Sequence, residues 1–133
     1  MDPDSLNTFL GLALGTLFTA IGTSVATVKS AHLVTYDVKT YSPIMMAGTL
    51  VAYNLIVSLF TITKYNTGTS DDNALMAACL ITGFSNMFSG ITMGIMSEKA
   101  AEYNVGLVVM HTFTTSWGLL GLIVSVVIIG NVD

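Results

Sequence analysis

No arginine occurs in this chain, and its basic residues are four lysines, Lys29, Lys39, Lys64 and Lys99. The net charge is −4, and no basic cluster is present to neutralise a phosphate backbone. A nucleic-acid partner is therefore not expected. A single cysteine, Cys79, excludes an internal disulfide, and inside an apolar run it reads as a small hydrophobe. There is no metal-ligand cluster, nucleophile–base pair, P-loop or dinucleotide motif. No metal, no cofactor and no catalysis are expected of the chain itself. A basic n-region is missing as well, so the first apolar run reads as a retained span rather than a cleaved signal.

The most informative absence is of charge inside four long apolar runs, at 6–28, 44–62, 75–96 and 105–129. Each is close to the ~20 residues that a helix needs to cross a bilayer. Hydrocarbon offers backbone N–H and C=O groups no partner, so each run is expected to be a helix. The chain is 53% hydrophobic and 9% charged over 133 residues, so four spans use nearly all of it. The expected fold is an all-α membrane protein embedded in a lipid bilayer, with no separate catalytic domain.

The lysines also suggest orientation. Lys29 and Lys39 bracket the first connection and Lys99 lies in the third, whereas Lys64 alone marks the second, beside Asp71 and Asp72. The positive-inside rule then places the first and third loops in the cytosol and both termini on the other side of the membrane, the lumenal one if the membrane is that of an organelle.

The second half echoes the first. Leu55-Ile56-Val57-Ser58 returns as Leu122-Ile123-Val124-Ser125, 67 residues later. Gly15 and Gly22 are seven apart, as are Gly83 and Gly90, and Ala26 corresponds to Gly94. Two tandem helical hairpins, 1–66 and 67–133, fit this offset, and a repeat of two helices is parallel rather than inverted. Gly11, Gly15, Gly22 and Ala26 share one face of the first helix, and Gly83, Gly90 and Gly94 share one face of the third. Small residues let membrane helices approach closely. The spacing fits ordinary packing within a four-helix monomer, and it fits an inner wall of helices packed into a ring. The second helix of each hairpin is bulkier, with Tyr53 and Phe60, then Phe113 and Trp117, which suits an outer layer.

Three segments carry a family resemblance. Leu17-Phe18-Thr19-Ala20-Ile21-Gly22 through Thr27-Val28-Lys29-Ser30 is similar to a stretch running from Phe-Ser-Ala-Leu-Gly to Thr-Ala-Lys-Ser-Gly. Pro43-Ile44-Met45-Met46-Ala47-Gly48, with Tyr53, is similar to Pro-Val-Val-Met-Ala-Gly…Tyr. Gly118-Leu119-Leu120-Gly121-Leu122-Ile123-Val124 is similar to Gly-Leu-Tyr-Gly-Leu-Ile-Val. In this order, and over nearly the whole chain, they resemble the V-type ATPase membrane-ring proteolipid, the c-type rotor subunit. The resemblance implies a rotor ring formed with other proteolipids, homo- or hetero-oligomeric, in an acidic endomembrane such as the vacuole. It also implies a membrane stator subunit a and a central-stalk subunit d as partners. In the family, a carboxyl on an outer helix carries the proton, and it must be protonated before it meets lipid.

Here that carboxyl is missing. The family's glutamate lies three residues before the Gly-Leu-x-Gly-Leu-Ile-Val segment, where this chain has Thr115, and the first-repeat equivalent is Gly48. Threonine does not titrate in the physiological range. His111, one turn before Thr115, is a titratable side chain inside a span, and Thr112, Thr114, Thr115 and Ser116 make the turn polar. His111 reads either as a substitute proton site or as a neutral histidine hydrogen-bonded to another helix or subunit. Charge logic favours the second, because a loaded carboxyl is neutral in lipid whereas a loaded histidine is cationic. Asn54, Asn86 and Ser85 are expected to make interhelical hydrogen bonds. Ser24, Ser58 and Ser125 are expected to bond the preceding turn's carbonyls. Glu98 and Glu102 read as solvated charges around Lys99.

The sequence therefore points to a V-type ATPase ring proteolipid whose proton site has degenerated. Two alternatives stand beside it: a non-ATPase four-helix membrane scaffold or pore module, and a proton carrier that uses His111.

Overall fold

The computed structural model describes residues 3–34, 41–68, 71–100, 102 and 104–132. Lys39, which enters the loop-charge argument, lies outside them. Four helices account for almost all of these residues: α1 (Pro3–Ser30), α2 (Ser42–Asn66), α3 (Asp72–Lys99) and α4 (Val105–Gly130). A 3-10 turn, Ala31–Leu33, extends α1. All four helices are long and apolar enough to cross a membrane.

Three of the helices outrun the apolar runs because polar end residues can still be helical where the chain leaves hydrocarbon. The clearest ends are capped by side chains. Asp71 accepts from the Ala74 N–H at 3.1 Å, and Asn104 accepts from the Leu107 N–H at 2.8 Å. Each satisfies one of the backbone donors that an α-helix leaves free at its start. α2 begins with Pro43 in its first turn, where a missing N–H costs nothing. After α2 the chain turns through Gly68 at φ 85°, a conformation that favours glycine.

α1 and α3 run parallel, and theirs is the most extensive interface in the molecule. Thr8 donates to Asp72 at 2.7 Å near one end of the pair, and the Ser30 and Ser97 hydroxyl oxygens lie 3.0 Å apart near the other. α4 runs antiparallel to α3 and packs on both α3 and α2, while α2 packs on α1, α3 and α4. α3 is the central element, buried from Leu75 to Ser97 along a face that includes Ala78, Thr82, Asn86 and Met93. α4 buries Leu107, His111, Thr114, Gly118, Gly121, Ser125 and Ile129, a helical spacing that leaves its other side open. The open sides are apolar: Phe60, Phe88, Phe113 and Trp117 are all exposed. In a chain of this composition such faces meet lipid or neighbouring helices.

The small residues fix the α1–α3 distance. A methyl group added at Gly83 would stand 2.7 Å from Gly15 Cα, and one at Gly22 would stand 2.6 Å from Met87 Cα. Gly11 faces Met76 in the same way, at 2.8 Å. The room at Gly94 is limited by Val25, 3.0 Å away, and Ala26 is buried beside Met93 and Ala47. The small-residue faces read from the sequence therefore meet within a single chain.

Candidate functional site

The polar turn of α4 is built from hydroxyls that bond backwards. Thr112 donates to Val108 O at 2.9 Å, Thr114 to Met110 O at 2.9 Å, Thr115 to His111 O at 2.8 Å and Ser116 to Thr112 O at 3.1 Å. Each hydroxyl hydrogen thus finds an acceptor four residues earlier on its own helix. Thr112 and Ser116 are exposed, Thr115 is half-buried and Thr114 is buried. Thr115 lies in a shallow groove between α2 and α4, lined also by Met46, Tyr53 and Leu119. Gly48 lies elsewhere. It is exposed on α2 beside the α1–α2 groove formed with Thr23, Thr27 and Val51, and nothing would lie within 4 Å of a methyl group there. The two positions that the sequence pairs as repeat equivalents therefore open on different grooves.

His111 is fully buried, away from the groove that holds Thr115. Its Nε2 lies 2.9 Å from Ser97 Oγ, which donates to Met93 O at 2.9 Å and lies 3.0 Å from Ser30 Oγ, whose own hydrogen is directed to Ala26 O at 2.6 Å. The His111–Ser97 contact ties α4 to α3, with Ser30 of α1 packed beside it. With Ser97 donating to the Met93 carbonyl, the His111 Nε2–H donates to Ser97. Nδ1 then remains a bare acceptor without a partner. That arrangement suits a neutral ring. Ser30 and Ser97 did not stand out in the sequence, because isolated serines near helix ends carry no spacing signal. Only their shared height on two parallel helices brings them to His111.

Asn86 is the polar centre of the bundle. Its side-chain amide donates to Thr19 Oγ1 on α1 at 3.2 Å and to Leu50 O on α2 at 3.0 Å. Its Oδ1 has no hydrogen-bond partner and faces Gly118 on α4, where an added methyl would stand 3.0 Å away. Asn54 also bonds across helices, donating to Thr16 Oγ1 at 3.3 Å. Ser125 departs from expectation. It donates to Ala78 O on α3 at 2.7 Å and pairs with Thr82 Oγ1 at 2.6 Å, because its face of α4 is pressed against α3. Glu98 departs too, since it forms an ion pair with Lys29 across the α1–α3 seam, although both side chains stay substantially exposed.

Among the described residues no group of three or more His, Cys, Asp or Glu side chains is placed to hold a metal ion. Among the described side chains, the charged residues of the helices lie in their terminal turns: Lys29 in the last turn of α1, Lys64 in the last turn of α2, Asp72 at the start of α3, and Glu98 and Lys99 at its end.

No family model matches this sequence. Individual proteins do. The chain is 27% identical over 128 residues to the V-type proton ATPase 16 kDa proteolipid subunit c of Ovis aries, covering 90% of this chain and 81% of that protein. It is 29% identical over 133 residues to the protein of the same name from Ascaris suum, covering 91% of this chain and 81% of the other. It is 29% identical over 140 residues to the V-type proton ATPase subunit c of Candida tropicalis, covering 90% and 85%. Over about 90% of its length, this multi-pass membrane chain of four helices is homologous to the proteolipid c subunits of V-type proton ATPases.

Proposed function

We propose that this chain is a ring proteolipid of a V-type proton-translocating ATPase that has no proton-carrying acid of its own and serves as a structural segment of the rotor. The observation that carries the reading is the state of Thr115. At the position that the resemblance assigns to the family's glutamate stands a side chain whose hydroxyl hydrogen is bound to the His111 carbonyl, in a turn whose hydroxyls all donate to the helix's own carbonyls. A carboxylate at bilayer centre costs at least ~2.5–3.5 kcal/mol, so an acid-bearing neighbour must load a proton before it meets lipid. Thr115 is neutral at all times and passes through lipid without that requirement.

In this reading the chain forms two hairpins, 1–66 and 67–133. The contacts that support the division join α1 to α3 at the repeat distance, Thr19 with Asn86 and Ser30 with Ser97. α1 and α3 form the inner wall of the ring, and α2 and α4 the outer one. The partners are acid-bearing proteolipids, stator subunit a and stalk subunit d, and the membrane is that of an acidic organelle, with both termini lumenal. Fewer acids per ring mean fewer protons per turn. At fixed ATP use per turn, that permits a steeper gradient at lower flux.

His111 is structural here rather than a carrier, because it is buried inside the bundle and already bonded to Ser97. The test is mass spectrometry of the intact complex purified through a tag on this chain. Co-purification of acid-bearing proteolipids and the ATP-hydrolysing head is expected. Recovery as a free four-helix protein or oligomer would instead favour the scaffold or pore alternative.

A further inference from the structure

We propose that His32 is a protonation-dependent clasp, holding the ends of α1 and α3 together while both of its ring nitrogens carry hydrogen. The imidazole lies just beyond α1, with Nδ1 2.9 Å from the Lys29 carbonyl oxygen and Nε2 3.2 Å from the Ala100 carbonyl oxygen. Both partners are pure acceptors. A neutral imidazole has one N–H, so one of the two contacts would then set a lone pair against a lone pair. The imidazolium supplies a donor to each.

Among the described residues, the charges at this end of α1 and α3 are Lys29, and Glu98 and Lys99 from the last turn of α3. Glu98 is paired with Lys29 and lies within electrostatic reach of His32. Deprotonation frees one end, and the local geometry decides which. The Lys29 contact closes a loop of three residues, whereas the Ala100 contact spans 68 residues of chain and is the longer. The interhelical bond to Ala100 is therefore the one released as pH rises. The glycine seam beneath it stays packed, so the effect is confined to the exit of α3 and the segment that leads to α4. This inference does not depend on the ring reading.

The experiment uses the full chain in lipid nanodiscs, with 15N-labelled histidine, at about pH 5.5 and about pH 8.5, either side of the histidine range. His32 signals are assigned by their loss in H32Q. Expected at the lower pH are two imidazole N–H protons that exchange slowly with water, because both are hydrogen-bonded. One remains at the higher pH. The Ala100 region should lose amide protection by about five-fold, after correction for intrinsic exchange, as one hydrogen bond is lost. H32Q should show the lower protection at both pH values. Fast-exchanging N–H protons at the lower pH, or wild-type protection that does not change with pH, would overturn the proposal.

Discussion

Gly22 and Gly90 meet backbone to backbone, with a methyl group on Gly90 running into the Gly22 carbonyl and one on Gly22 standing 2.6 Å from Met87 Cα. Neither obstacle is the flexible end of a side chain, so neither can swing aside. Gly22→Leu or Gly90→Leu must force α1 and α3 apart. Overpacking a tight site costs about 1–3 kcal/mol or more. Both variants are expected to unfold at lower denaturant concentration in mixed micelles and to lose assembly. Gly48→Ala, on the open face of α2, should unfold like the parent. Equal stability of all three variants would mean that the seam is not close-packed.

Asn86 joins α3 to α1 and α2, with Oδ1 backed by Gly118. Interhelical hydrogen bonds in membranes contribute about 0.6 kcal/mol each, and up to ~1.7. Asn86→Ala, which removes two, should destabilise by roughly 1–3 kcal/mol in bicelle unfolding. Gly118→Ala should destabilise too, since the methyl would stand 2.6 Å from Leu50 Cδ2 and 3.0 Å from Asn86 Oδ1. The two substitutions share one contact, and the double variant should lose less than the sum of the single losses.

The proposed loss of the proton-carrying acid has a chemical signature. Carbodiimide attacks protonated carboxyls buried in lipid. Peptide mapping should find no label within 6–28, 44–62, 75–96 or 105–129 of this chain, and should find it on acid-bearing neighbours. Thr115→Glu should create a labelled site, because Thr115 lies in the α2–α4 groove rather than inside the bundle. Label within a native span of this chain would contradict the reading.

On the proposed reading, the role of His111 is separable from transport. His111→Leu should weaken the bundle by about 1–2 kcal/mol through loss of the Ser97 bond, and leave proton transport of an assembled mixed ring nearly unchanged. An assembled ring that no longer moves protons would make His111 the carrier.

Topology can be read by labelling single cysteines in a Cys79→Ser background. Thr67 and Glu102 are exposed and lie in the second and third connections. Thr67→Cys should react from the lumenal side and Glu102→Cys from the cytosolic side. Reaction with the opposite sidedness would invert the orientation taken from the lysines.

The sequence by itself determined the four spans, because a charge-free run of this length has one low-energy form in hydrocarbon. It also marked the glycine faces and the lack of any acid in the apolar runs, since composition and helical spacing are local properties. It left open whether the glycines face a neighbour in the same chain or in another. Tertiary structure decided that Gly15 meets Gly83 and Gly22 meets Gly90, because a close contact depends on the position of a second helix. The same reason hid Ser30 and Ser97 beside His111, the turn of Ser125 toward Ala78, and the reach of His32 to Ala100. Each joins residues on different helices or beyond their ends, and nothing in the spacing of one helix encodes the rotation of another against it.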